Sequence, residues 1–129
     1  WAEGVKMVQK LCTPHNTNAF AMKFAEAVLT TPGMIEKLVG DFNEGRGYLI
    51  KELDKRGYEH KGEAGNFLFI KPKNREAQYI VDHMKTDYKI LIKTYSNVGK
   101  FGDCLRVSIG GKEYMQRFLD ALGEIEGIR

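Results

Sequence analysis

Few side chains of this sequence have the type and spacing that chemistry needs. The cysteines Cys12 and Cys104 have no basic neighbour that would favour a reactive thiolate, so we expect both to be inert. The three histidines are scattered, and with the cysteines they show no zinc-ligand spacing. Arg106 lies on a predicted strand between Leu105 and Val107, so alternation directs its side chain to the opposite face. On spacing alone, the simplest interpretation is a solvent-facing arginine.

The composition is that of an ordinary globular protein. The chain has 129 residues, of which 43% are hydrophobic and 29% charged, enough for one compact domain. No apolar run approaches the roughly 20 residues that cross a bilayer. The net charge is only +3, and basic residues are interspersed with acidic ones, so we expect neither a membrane nor a nucleic-acid partner.

The first residues of the chain support two further expectations. No secretory signal opens the sequence, so we expect a cytoplasmic protein with reduced thiols. The first residue is Trp1 instead of methionine, which suggests a piece of a longer protein.

The elements that position these residues differ between two parts of the chain. Residues 1–57 are predicted to be mainly helical, because apolar residues recur at helical spacing. The predicted helices cover 3–11, about 17–30 and about 32–56, with Thr31 as the cap of the third. Gly40, Gly45 and Gly47 weaken this third helix and suggest a kink or a close neighbour.

Residues 58–129 alternate strands and helices. The predicted strands are Tyr58–His60, Asn66–Lys71, Tyr88–Thr94 and Cys104–Ile109, and the predicted helices cover about 74–85 and 111–126. This order predicts an α+β fold with a small, mostly antiparallel sheet of three or four strands that helices cover on one face. We expect residues 1–129 to form a single domain.

Four motifs in chain order resemble one enzyme family. They are Pro14–Asn18 (PHNTN), Gly65–Ile70 (GNFLFI), Tyr88–Tyr95 (YKILIKTY), and Leu105–Gly110 (LRVSIG) followed by the helix around Phe118–Leu122. Together they resemble the C-terminal small domain of fold type I aminotransferases, which depend on pyridoxal 5'-phosphate (PLP). The similarity is greatest to the histidinol-phosphate aminotransferases and their relatives.

The resemblance implies roles for three residues. Arg106 matches the family arginine that binds the α-carboxylate of the substrate or an equivalent phosphate, for which the planar guanidinium fork is suited. Lys93 takes the place of a second family arginine, so it keeps the charge and loses the fork. Asn18 belongs to the stretch that borders the active site in the family, although a helix cap or turn is its simpler role.

The resemblance also implies what the rest of the protein supplies. In the family, the Schiff-base lysine, the carboxylate on the pyridine nitrogen and the phosphate cup lie upstream, in the large domain. We therefore expect no catalytic, cofactor-binding or metal-binding residue in this chain, and no transamination by the chain alone. The parent enzyme is expected to be a PLP-dependent homodimer that acts on an amino acid or amino-alcohol phosphate and a 2-oxo acid.

Two alternatives remain open on the sequence. A PLP decarboxylase that resembles the threonine-phosphate decarboxylases would share the same motifs. A free-standing α+β interaction domain without chemistry is the alternative from a different class of protein.

Overall fold

The computed structural model describes residues 2–11, 18–62 and 65–128. The described residues fall into two compact units, the first ending at Lys37 and the second beginning at Leu38. The helices are α1 (Ala2–Leu11), α2 (Ala19–Thr30), α3 (Met34–Lys55), α4 (Ala77–Thr86) and α5 (Lys112–Glu126). Within the described ranges, no helix is both long and apolar enough to cross a membrane.

The first unit contains α1, α2 and the first turn of α3, and it confirms helices in the predicted places. The helix α2 begins after Asn18, whose Oδ1 accepts a hydrogen bond of 2.8 Å from the N–H of Phe20. The expectation that Thr31 caps α3 is wrong, because Thr31 is the C-cap of α2, with an extended backbone (ψ 115°), and α3 begins only at Met34. The predicted break at residues 13–16 lies outside the described residues.

The second unit contains one antiparallel sheet. Its strands are β1 (His60–Lys61), β2 (Phe67–Ile70), β3 (Lys93–Tyr95) and β4 (Cys104–Ser108), in the spatial order β1-β2-β4-β3. All three pairings are antiparallel. The predicted α+β class, with a small antiparallel sheet, is therefore confirmed.

The core lies on one face of this sheet. Alternation along β2 and β4 sends Leu68, Ile70, Leu105 and Val107 into it. Tyr58, which follows α3, is also in the core, and the helices contribute these large buried side chains: Leu49, Leu53, Ile80, Met84, Met115, Phe118, Leu119 and Leu122. The opposite face of the sheet carries the intervening residues of the same strands.

The third strand is much shorter than its sequence predicts. The segment Tyr88–Thr94 has strand-forming residues, but pairing with β4 begins only at Lys93. Lys89 has a left-handed backbone (φ 56°), and the N–H of Ile90 donates to the carbonyl of Met84. Leu91 is consequently 80% exposed. The backbone at Ile90 is therefore hydrogen-bonded to the end of α4, at a position where the sequence alone favours a strand.

A close backbone approach fixes α3 against the start of α5. A Cβ atom at Gly45 would lie 1.9 Å from the carbonyl oxygen of Gly110. Gly40 and Gly47 of the same helix have no atom within 4 Å of a Cβ position. Of the three helix-weakening glycines, Gly45 is thus the one that the packing requires, and it accounts for the predicted close neighbour.

Gly45→Ala is expected to destabilise the chain by about 1–3 kcal/mol or more, because α3 must move away from Gly110. Gly47→Ala is the matched control, and its open surroundings predict a gain of up to about 1 kcal/mol from helix propensity. Denaturant unfolding followed by circular dichroism measures both. Equal midpoints for the two variants would contradict the close approach.

A buried carboxylate joins the end of α5 to the connection between β2 and α4. Glu126 is only 4% exposed. Its carboxylate accepts hydrogen bonds from the backbone N–H groups of Lys73 (2.7 Å) and Asn74 (2.9 Å) and from the hydroxyl of Tyr58. Burial and the neighbouring Glu126 raise the pKa of Tyr58, so its phenol stays protonated. Glu126 thus holds three segments of the unit together.

Glu126→Ala should lower the free energy of unfolding by at least about 1–3 kcal/mol, because buried donors lose their acceptor. Glu124→Ala is the control on the same helix, since Glu124 is exposed and its carboxylate accepts only from the hydroxyl of Tyr88 among the described residues. Chemical unfolding of both variants tests this. A loss no greater for Glu126→Ala than for Glu124→Ala would refute the structural role of Glu126.

Candidate anion-binding face

The sheet face opposite the core carries a cationic row. Strand register aligns Lys61 of β1 with Phe69 of β2, Phe69 with Arg106 of β4, and Arg106 with Lys93 of β3. Directly opposed residues of antiparallel strands project to the same face. Three of the four positions in this row are therefore positively charged, and none is acidic. We call this surface the open face.

The guanidinium of Arg106 rests on aromatic rings of the open face. Its Cζ atom lies 4.2 Å from the ring centroid of Phe67 and 5.9 Å from that of Tyr95. The rings also contact each other, because Phe67 and Phe69 pack edge to face at 5.3 Å, and Phe69 and Tyr95 do so at 5.8 Å. A cation over a ring face is attracted by the ring quadrupole. Arg106 is therefore held in place without a carboxylate.

Arg106 has unused hydrogen-bonding capacity. Its Nε atom is buried and has no acceptor among the described residues. Within the same part of the chain, no carboxylate comes within ion-pair distance of its guanidinium. Buried donors are normally satisfied, so an orphaned one calls for an explanation. An oxyanion with two oxygens in the guanidinium plane would supply the missing acceptors.

Lys93 lies beside Arg106 in the sheet. The two are direct partners in the register of β3 and β4, and Lys93 is exposed. Like charges in directly opposed positions destabilise a sheet. A bound anion would remove that repulsion. The strand register thus brings together two of the three residues proposed from the sequence, and their binding of a substrate stays a prediction.

Asn18, the third candidate, belongs to the first unit. The structure gives it the role of N-cap of α2, through the hydrogen bond to Phe20. This cap is the simpler of the two roles considered from sequence. A contribution of Asn18 to substrate binding stays a prediction.

The other titratable groups fit structural roles. Cys104 is fully buried, and burial raises the pKa of its thiol, which suits an inert side chain. His60 Nε2 lies 3.0 Å from Asp54, and the ring of His83 stacks on Tyr79 at 3.9 Å. Across the described ranges, no three His, Cys, Asp or Glu side chains are grouped to hold a metal ion. Cys12 and His15 lie outside these ranges.

Comparison of the sequence with known protein families identifies the family of this chain. The sequence model of the aminotransferase class I and II family matches residues 3–122, nearly the whole chain. The chain is a member of that family. Aminotransferases of this family generally depend on PLP.

Among curated proteins, the relatives include histidinol-phosphate aminotransferases. That of Geobacter sp. (strain M21) is 30% identical over 123 residues, covering 95% of this chain and 35% of the relative. That of Trichormus variabilis is 29% identical over 116 residues, or 90% and 33%. That of Clostridium botulinum (strain Langeland) is 36% identical over 80 residues, or 62% and 22%. The chain thus spans about a third of the first of these relatives.

The described residues do not fit the attachment site of PLP itself. A lysine that forms a Schiff base must lie in a site shielded from water. In the ranges 2–11, 18–62 and 65–128, every lysine is exposed except the half-buried Lys71. The Nζ atom of Lys71 lies 3.5 Å from Oε2 of Glu59, and the two form an ordinary surface ion pair. Among the described residues, no lysine therefore has the surroundings of a Schiff-base site.

The aromatic support of Arg106 was not foreseen from the sequence. The only available signal was alternation in the segment Phe67–Ile70, which places both phenyl rings on the face that Arg106 shares. The proximity of Tyr95 depends on the strand order, in which β4 lies between β2 and β3. The order of strands in a sheet cannot be read from a linear sequence motif.

Lys93→Gln should raise the stability of the chain by about 0.2–1 kcal/mol at low salt, because it removes the charge opposite Arg106. Thermal unfolding of both proteins with and without inorganic phosphate tests this. Phosphate should reduce the difference in stability between Lys93→Gln and the wild type. Lys85→Gln, at an exposed position of α4, is the control and should show neither effect. A Lys93→Gln protein no more stable than the wild type at low salt would argue against repulsion on the open face.

Proposed function

We propose that this chain is the small domain of a PLP-dependent aminotransferase, and that its open face binds the anionic group of the substrate. The proposal is supported by membership of the aminotransferase family together with one observation. Arg106 is a half-buried guanidinium with an unpartnered Nε and no anionic neighbour among the described residues.

Arg106 and Lys93 have different roles in this proposal. The guanidinium of Arg106 offers two parallel donors to a carboxylate or phosphate and fixes its orientation. Orientation matters because the reacting bond must keep one geometry relative to the cofactor. Lys93, directly opposite in the sheet, adds charge without directional preference.

The parent enzyme would use the small domain in two ways. The anionic substrate would bridge Arg106 to the remainder of the enzyme, and closure of the small domain would exclude water from the reaction. PLP, when bound by that remainder, supplies the electron sink for amino-group transfer. The resemblance further supports a cytoplasmic homodimer. Histidinol phosphate, named in the relatives, is the first substrate to test, with a 2-oxo acid as acceptor.

The test uses the complete protein that the source genome encodes around this sequence. The purified enzyme, supplied with PLP, is assayed for amino-group transfer from histidinol phosphate and from common amino acids. Arg106→Ala should lower kcat/KM by roughly 30- to 1000-fold, since removing one partner of a buried charge pair costs about 2–4 kcal/mol. Arg106→Lys should recover only part of this loss, because it restores the charge without the fork.

The assay also separates the alternatives. Release of carbon dioxide without amino transfer would replace the aminotransferase with a decarboxylase. Wild-type activity in Arg106→Ala would contradict the anion-binding role, and absence of both reactions with every substrate would favour an interaction domain.

A further inference from the structure

Resting on the proposed function, we propose that Phe67 is a positioning residue for Arg106. Its ring packs against the guanidinium of Arg106, which binds the substrate anion. This contact keeps the guanidinium in its binding geometry before the anion binds. Phe67 does not itself touch the anion in this account.

The contact distances favour Phe67 as the main support. Its ring centroid lies 4.2 Å from Cζ of Arg106, while that of Tyr95 is 5.9 Å away. Phe69 is the direct register partner of Arg106, yet it makes no cation–π contact with it. The guanidinium therefore leans diagonally across the sheet toward Phe67, which is paired with Ser108.

An aromatic support suits a substrate-binding arginine better than a carboxylate would. A carboxylate would occupy the donors of the guanidinium fork and neutralise its charge. A ring binds the planar face of the group and leaves the N–H donors at its edge free. Among the described residues, no carboxylate forms an ion pair with Arg106, which agrees with such an arrangement.

The ring of Phe67 is itself fixed by its surroundings. It packs edge to face against Phe69 at 5.3 Å, and the neighbouring Asn66 accepts a backbone hydrogen bond of 2.9 Å from Ile109. The guanidinium of Arg46 on α3 donates to the carbonyls of Gly62 and Gly65, on the chain just before β2. Because Phe67 is fixed on β2, its ring also fixes the position of the Arg106 side chain.

The test uses the 129-residue chain, labelled with ¹⁵N, and inorganic phosphate as the probe. The Nε–Hε signal of Arg106, assigned by its loss in Arg106→Ala, should show an upfield ring-current shift in the wild type. Phe67→Leu should remove that shift and weaken phosphate binding about two- to fivefold, the equivalent of a cation–π contact. Phe67→Tyr, which keeps the ring, should retain both properties.

Tyr79→Leu is the matched control, because it removes a ring that lies 5.3 Å from the guanidinium of a different arginine, Arg75, outside the open face. It should leave phosphate affinity within about twofold of the wild type and the Hε signal shifted upfield. An unshifted Hε signal in the wild type would overturn the proposal even if Phe67→Leu fails to fold.

The result with Arg106→Ala separates this inference from the proposed function. If that variant binds phosphate as the wild type does, the anion-binding role of Arg106 fails. If it loses binding while Phe67→Leu retains full affinity, only the role of Phe67 fails.

Discussion

The two-sided pattern of β4 determines what this domain can do. Leu105 and Val107 must enter the core, and the side-chain period of a strand then requires Arg106 to project to the open face. A slip of one residue would bury the guanidinium among the core side chains of α4 and α5, which is energetically prohibitive. The hydrophobic core therefore fixes the direction of the one side chain that the proposed function requires.

The rest of the second unit keeps β4 in its register. Backbone contact between Gly45 and Gly110 sets α3 against the chain as it leaves β4. The carboxylate of Glu126 ties the end of α5 to the segment after β2. Neither feature lies on the open face, and both restrict how β2 and β4 can move relative to the helices. The restricted movement of β2 and β4 keeps the ring of Phe67 close to the guanidinium of Arg106.

Much of this arrangement could be predicted from the sequence because it depends on local patterns. Helical spacing predicts the five helices found in the described ranges, and alternation predicts that Arg106 lies opposite Leu105 and Val107. The shortened β3 could not be predicted, because a left-handed Lys89 and a hydrogen bond to Met84 override the strand propensity of the segment. The support by Phe67 required the strand order, and the burial of Glu126 required contacts between distant segments. Tertiary packing decides such features, and local propensity does not.

The proposed function depends on one contact, in which Arg106 binds the anionic group of the substrate. A crystal structure of the complete protein, with PLP and a phosphate- or carboxylate-bearing substrate analogue, tests it most directly. Two oxygens of one anionic group should lie within about 2.7–3.0 Å of the guanidinium nitrogens of Arg106. An analogue bound with its anionic group on other residues, and with Arg106 facing only water, would contradict it.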